Sequence, residues 1–195
     1  MSTTIARRIV RRAVFTSATR VRIAYYRAIS TSWFDGRAPK LVCPALVLGP
    51  GTVRAEGATI GWWPSPDLVD GYVHFQVSVP DAHVVIGPGT TVNNGTKFLA
   101  DGPGIDVGCD VLIGRNTEIY DSDRHELDPA RRSGGTPNTG SVAIEDGVFI
   151  GAGVQIGKGV RIGRDSVVGM GSVVVRDIPS GVVAAGNPCR VIRRL

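Results

Sequence analysis

The chain has 195 residues, 43% hydrophobic and 20% charged, enough for a packed core and a size that fits one domain, or one with a small appendage. No apolar run approaches the ~20 residues that span a bilayer. The three cysteines, Cys43, Cys109 and Cys189, are odd in number and widely spaced, which argues against a disulfide framework or a paired-cysteine metal site and for a reducing, cytoplasmic setting. The net charge of +5 is unevenly placed: seven arginines precede the first acidic residue, Asp35, leaving the rest of the chain at −2. The body therefore lacks the basic patch expected of a nucleic-acid binder.

In chain order, residues 1–34 form a basic segment. Residues 4–30 are predicted as one or two amphipathic helices, with Val10, Val14, Ala18, Val21 and Tyr25 at a spacing of three to four and the arginines (7, 8, 11, 12, 20, 22 and 27) largely between them. Three readings stand side by side. The segment caps the open end of the following domain, where strand edges would otherwise invite aggregation. Or it rests as a peripheral element on an anionic membrane, such as the inner membrane surface of a bacterium. Or it is an arginine- and serine-rich transit peptide.

Residues 35–180 carry a repeat. From Ile144 an aliphatic residue recurs every six positions, through Ile150, Ile156, Ile162, Val168 and Val174, with glycine following at Gly151, Gly157, Gly163 and Gly169. Four positions after each aliphatic stands Val148, Val154, Val160, Ser166, Ser172 or Ile178. The same hexad appears earlier at Leu48-Gly49, Ile86-Gly87, Val92, Val107-Gly108 and Ile113-Gly114. Neither a helical period of 3.6 nor simple strand alternation gives this pattern. A coil with three flat faces does: each hexad supplies a short strand and a corner, and the aliphatic residues stack inward from coil to coil. Glycine serves where a side chain would clash or where φ must be positive. The expected class is all-β, a parallel β-helix.

Three breaks interrupt the register: an excursion or irregular coil over 61–80, three extra residues between Phe98 and Val107, and a polar loop over 124–141. The tail, 181–195, is expected to leave the coil at Pro179 and Gly186-Asn187-Pro188 with a basic end. A long loop expelled from a regular scaffold is where function concentrates. Of the three histidines, His74 and His83 lie in apolar stretches and read as structural. His125 opens the loop, with Asp121 and Asp123 four and two residues before it as candidates to orient the imidazole as a base. The histidines are not spaced to converge on a metal, and no metal is expected.

The segments DSDRHELDPARRSGG, VAIEDGVFIGAGVQIGKGVRIGRDSVVGMGSVVVRDIP and VVAAGNPCRVIRRL resemble the hexapeptide-repeat acyltransferases. The galactoside/maltose acetyltransferases and the sugar O-acetyltransferases of polysaccharide clusters are the nearest types. The resemblance implies a left-handed coil, a homotrimer with active sites between neighbouring subunits, acetyl-CoA as co-substrate and a hydroxyl of a sugar or glycan as acceptor. It puts the catalytic base at His125. Acetyl-CoA contacts would fall at Phe149, where the family often has tryptophan, at Ala152, Gly169, Met170 and Ser172, and at the phosphate-binding candidates Arg176, Arg190 and Arg193. Two departures, Asp123-Arg124 in place of a small residue before the histidine and an unlike N-terminal region, favour the polysaccharide type. The same scaffold also serves N-acetylation of amino sugars, serine acetylation and long-chain transfer; a β-helix subunit without chemistry is the non-enzymatic alternative.

Overall fold

The computed structural model describes residues 2–195, with side chains from Val14 onward. The readings at Arg7, Arg8, Val10, Arg11 and Arg12 concern side chains outside that range. The hexads become strands of two to six residues in three parallel sheets, the three faces of a left-handed β-helix.

An eight-stranded face runs from Lys40–Leu41 through Thr59–Ile60, Thr91–Val92, Leu112–Ile113, Phe149–Ile150 and Val167–Val168 to Val182–Gly186 and Cys189–Arg194. A six-stranded face holds Ala45–Leu48, Val73–Val77, Lys97–Ala100, Glu118–Tyr120, Gln155–Ile156 and Val173–Val174. A five-stranded face holds Thr52–Arg54, His83–Ile86, Ile105–Val107, Val142–Ile144 and Arg161–Ile162. The chain visits the six-, five- and eight-stranded faces in turn, so backbone hydrogen bonds join one coil to the next rather than neighbours in sequence.

The aliphatic residues of the repeat are the core: Ile150, Ile156, Ile162, Val168 and Val174 are fully buried. From Thr90 onward, where the fifth position is a hydroxyl it is also buried, and it donates to a backbone carbonyl. Thr117 bonds Gly114 O at 2.8 Å, and Ser166 and Ser172 bond Gly163 O and Gly169 O at 2.6 Å. The burial cost of a polar atom is thereby met inside the corner. The two uses of glycine separate by position. At Gly151 a Cβ would stand 2.5 Å from Met170 N, so adjacent coils could not close; the positive φ falls two residues later, at Gly153 (φ 68°).

Two expectations are corrected. Only residues 61–72 leave the coil, because Val73–Val77 alternates buried and half-buried and pairs with strands on both sides. The tail does not depart: Val182–Gly186 continues the eight-stranded face beside Val167–Val168, with Val182 and Ala184 pointing inward, and Cys189–Arg194 returns antiparallel to it.

The basic segment is one helix, α1, Ser2–Ile29. It docks through a half-buried stripe at Phe15, Thr19, Arg22, Ile23 and Tyr26. Phe15 lies 4.7 Å from Trp63 and Tyr26 4.8 Å from Tyr72, ring to ring. Arg22 donates to Leu68 O at 2.8 Å and Gly71 O at 2.6 Å. Beyond the helix, Thr31 N donates to Val47 O, while Ser30 Oγ and Thr31 Oγ1 accept from Val47 N and Gly49 N. These bonds close the outer edge of the six-stranded face.

Candidate active site

The enlarged corners stack on one edge of the coil. Residues 78–82, 101–104 and the long loop from Asp121 to Ser141 all lie between the six- and five-stranded faces. This edge is the vertex opposite the eight-stranded face. The loop is pinned at its neck: Ser122 bridges Thr139, Asp123 N donates to Asn138 O at 3.0 Å, and Gly140 N donates to Asp121 O at 2.8 Å. Gly140 then packs on Gly159, whose N–H donates to its carbonyl at 2.9 Å.

His125 stands just beyond this neck. It is exposed, and among the described residues it forms no hydrogen bond or ion pair. The two neighbouring acids do not orient it. Asp121 has the same parity as the inward-facing Ile119, so its side chain turns into the corner, where it is fully buried. There its carboxylate accepts from three backbone N–H groups, Asp101 at 2.7 Å, Gly104 at 2.9 Å and Gly102 at 3.0 Å. Asp123 Oδ1 accepts from Lys158 Nζ at 2.6 Å, and its buried Oδ2 meets no donor.

The direction in which His125 leaves the neck is set by residues that sequence reasoning missed. Arg124 sits at φ 62°, a left-handed conformation rare for a long side chain. It is held by an ion pair with Asp101 Oδ2 at 3.2 Å, and its N–H donates to Ser122 Oγ at 3.2 Å. Asp101 also accepts from Ser122 Oγ and from Ser78 Oγ, which makes it the hub of the corner. The signal in the sequence was the three-residue phase shift at DGPG, which marked an insertion without revealing its partner.

The remaining histidines belong elsewhere. His83 lies 3.3 Å from Asp106 on the five-stranded face. His74 lies on the six-stranded face, where with Asp67, Asp70, Tyr72, Lys97 and Asn116 it lines a cavity of about 300 Å³. Burial pushes its imidazole below the ordinary value, against the bond to Gln76 and with help from Lys97 and Arg124. The unfolded chain therefore takes up a proton near pH ~6.5 that the folded chain refuses. Stability contributed at pH 7 falls as the pH drops below that value, and His74→Gln flattens the slope in denaturant midpoints measured between neutral and mildly acidic pH.

The acetyl-CoA candidates divide between two sides of the coil. Phe149, 44% exposed, forms an apolar ridge with Leu112, its partner on the next strand of the eight-stranded face. Ala152, Gly169, Met170 and Ser172 lie at the adjoining corner towards the six-stranded face. Met170 is largely exposed, whereas the Ser172 hydroxyl is buried and also accepts from Gly186 N at 3.1 Å. Arg190 and Arg193 stand on the last strand of the same face, exposed and bonded only to neighbouring carbonyls. Arg176 falls apart from them, at the corner that carries the loop. Among the described residues, no hydrogen bond or ion pair links the loop to the eight-stranded face.

Cysteine chemistry finds no support in this arrangement. Burial pushes the Cys43 thiol up to about 12 and raises that of Cys189, and Cys109 lies half-buried at the corner between the five- and eight-stranded faces. An alkylating reagent should label Cys109 alone in the native protein, as peptide mapping before and after unfolding would show. Labelling of Cys43 before unfolding would contradict its burial.

Among the described residues, no three His, Cys, Asp or Glu side chains group as metal ligands. Residues 141–176 match the family described as bacterial transferase hexapeptide (six repeats). A galactoside O-acetyltransferase of Lactococcus lactis is 45% identical over 97 residues, covering 50% of this chain and 46% of that protein. A polysialic acid O-acetyltransferase of Escherichia coli O1:K1 is 36% identical over 118 residues, covering 60% and 38%. The chain thus spans about half the length, or less, of these two relatives. The solved hexapeptide-repeat acetyltransferase of Vibrio cholerae, complexed with acetyl-CoA, is 36% identical and covers 63% of this chain and 64% of its own, with a TM-score of 0.56. With its six-residue period, its three-faced coil and these likenesses, the chain carries the bacterial transferase hexapeptide repeat and is similar to the hexapeptide-repeat acetyltransferases.

Proposed function

We propose that the protein is an acetyl-CoA-dependent O-acetyltransferase acting on a hydroxyl of a sugar or glycan. His125 serves as general base. Its imidazole takes the proton of the acceptor hydroxyl as the oxygen attacks the thioester carbonyl; the tetrahedral intermediate then collapses, the carbon–sulfur bond breaks, and the thiolate leaves with a proton to give an acetyl ester and free CoA. Donors aimed at the developing oxyanion would lower the barrier further.

One observation carries this reading: an unpaired, exposed His125 stands at the vertex opposite the exposed ridge of Leu112 and Phe149 and the unpaired Arg190 and Arg193. A base and a cofactor surface on opposite sides of one coil meet when copies pack side by side, which supports a homotrimer with sites shared between subunits. The galactoside and polysialic acid O-acetyltransferases among the relatives support a carbohydrate acceptor.

Release of free CoA from acetyl-CoA, followed across a panel of mono- and oligosaccharides, tests the reaction. The expected product loses its acetyl group in mild alkali, as an ester does; an alkali-stable product would place the transfer on an amine. Mixing His125→Ala subunits with Phe149→Asp/Met170→Asp subunits tests the shared site. Activity above either parent is expected, and none above the parents would confine each site to one chain.

A further inference from the structure

The apolar stripe that the sequence predicts on α1 is not the face that docks. Val14, Ala18, Val21, Tyr25 and Ile29 recur at three- to four-residue spacing and are all exposed; Val14 is 63%, Val21 68% and Tyr25 60% accessible. The helix holds the coil through Phe15, Arg22 and Tyr26 instead, which leaves this second stripe without a partner among the described residues. The excursion over 61–72 runs beside it. Phe15 meets Trp63 and, two turns on, Arg22 grips the carbonyls of Leu68 and Gly71, so the loop lies along the helix next to the stripe. That loop exposes Trp62, Trp63 and Val69. Helix and loop, held side by side, thus both expose apolar and aromatic side chains.

Charge identifies what covers it. Arg20 and Arg27 are exposed on the helix, four further arginines lie in its first half, and no acidic residue occurs before Asp35. Among the described residues no carboxylate pairs with Arg20 or Arg27. An exposed apolar stripe, exposed tryptophans on the loop that packs along the helix, and arginines without carboxylate partners on the helix's other side match an interface with hydrocarbon below and anionic headgroups at its level. No described helix is long and apolar enough to cross a membrane. We infer that α1 and the Trp62–Trp63 loop form a peripheral docking surface for an anionic lipid bilayer, with the stripe buried in the headgroup boundary and the arginines on the phosphates. The active-site loop lies on a different edge of the coil and is left free.

Co-sedimentation with phosphatidylcholine vesicles, with and without about 30% phosphatidylserine, tests this directly. The full chain is expected to bind the anionic vesicles at least about tenfold more tightly than the neutral ones, and to lose most of that difference in about 0.5 M salt, where charges are screened. Val21→Glu/Tyr25→Glu should abolish binding while circular dichroism holds the helix content; Val21→Ser/Tyr25→Ser serves if the glutamates unfold it. Tryptophan fluorescence quenched by brominated lipid in the wild type reports the loop. Equal retention on both vesicle types, or variants that bind as well as wild type, overturns the inference. So does tighter retention by nucleic acid, or self-association through the stripe without vesicle binding.

Discussion

Replacing His125 by alanine is expected to lower turnover about 10²–10⁴-fold while the affinity for acetyl-CoA stays at its wild-type value, as removal of the proposed general base would. The geometry explains the split. His125 stands past the neck of the loop with no internal partner, so its loss disturbs no hydrogen bond within the chain, and the surface proposed for the cofactor, with Leu112, Phe149, Arg190 and Arg193, keeps all its side chains. Steady-state rates together with equilibrium binding of acetyl-CoA separate the two effects. Activity within about tenfold of wild type would remove His125 as the base.

Asp121→Ala acts through stability instead. Its carboxylate is fully buried and is the acceptor for three backbone N–H groups of the Asp101–Gly104 corner. Truncation leaves those donors without partners in a dry corner, at a cost of about 3–5 kcal/mol. For a chain of this length that corresponds to a fall in Tm of about 10 °C. Asp121→Asn keeps one acceptor oxygen and costs less. Because Asp101 in turn holds Arg124, the residue before His125, the loop neck should loosen as well, and hydrogen exchange at Asp123 and Gly140 should rise with the loss of stability. A Tm within about 2 °C of wild type would show that water replaces the carboxylate at those amides.

Much of the architecture was legible because its period of six is shared by neither helices nor ordinary strands. Ile144 to Val174 could be read as one inward stack, and the expelled loop stood out against it. The tail was harder. Val182 and Ala184 carry the alternation of a paired strand, but Pro179 and Gly186-Asn187-Pro188 read as an exit from the coil. Proline and glycine mark turns without saying whether the chain rejoins the same sheet.

Side-chain partnerships were less legible, for two physical reasons. Proximity in sequence suggested that Asp121 and Asp123 serve His125, yet strand parity turns Asp121 inward, and Asp123 reaches Lys158 on a later coil. On α1 the apolar spacing singled out Val14, Val21 and Tyr25, but the long arm of Arg22 and the rings of Phe15 and Tyr26 make the tertiary contacts. A hydrophobic pattern does not weigh a guanidinium that finds two carbonyls. The hub at Asp101 depends on Ser78 from the preceding coil and on Ser122 and Arg124 from the following one, a convergence that only the stacking of corners creates.

Binding of acetyl-CoA along the eight-stranded face, as proposed, is decided by calorimetric titration of the purified protein, with Arg190→Ala/Arg193→Ala titrated in parallel. Micromolar binding is expected, weakened in the double variant because the two unpaired guanidinium groups no longer meet the phosphates of the nucleotide. Absence of binding by the folded wild-type protein would contradict an acetyl-CoA donor and turn the search to a carrier-protein thioester or to a coil without chemistry.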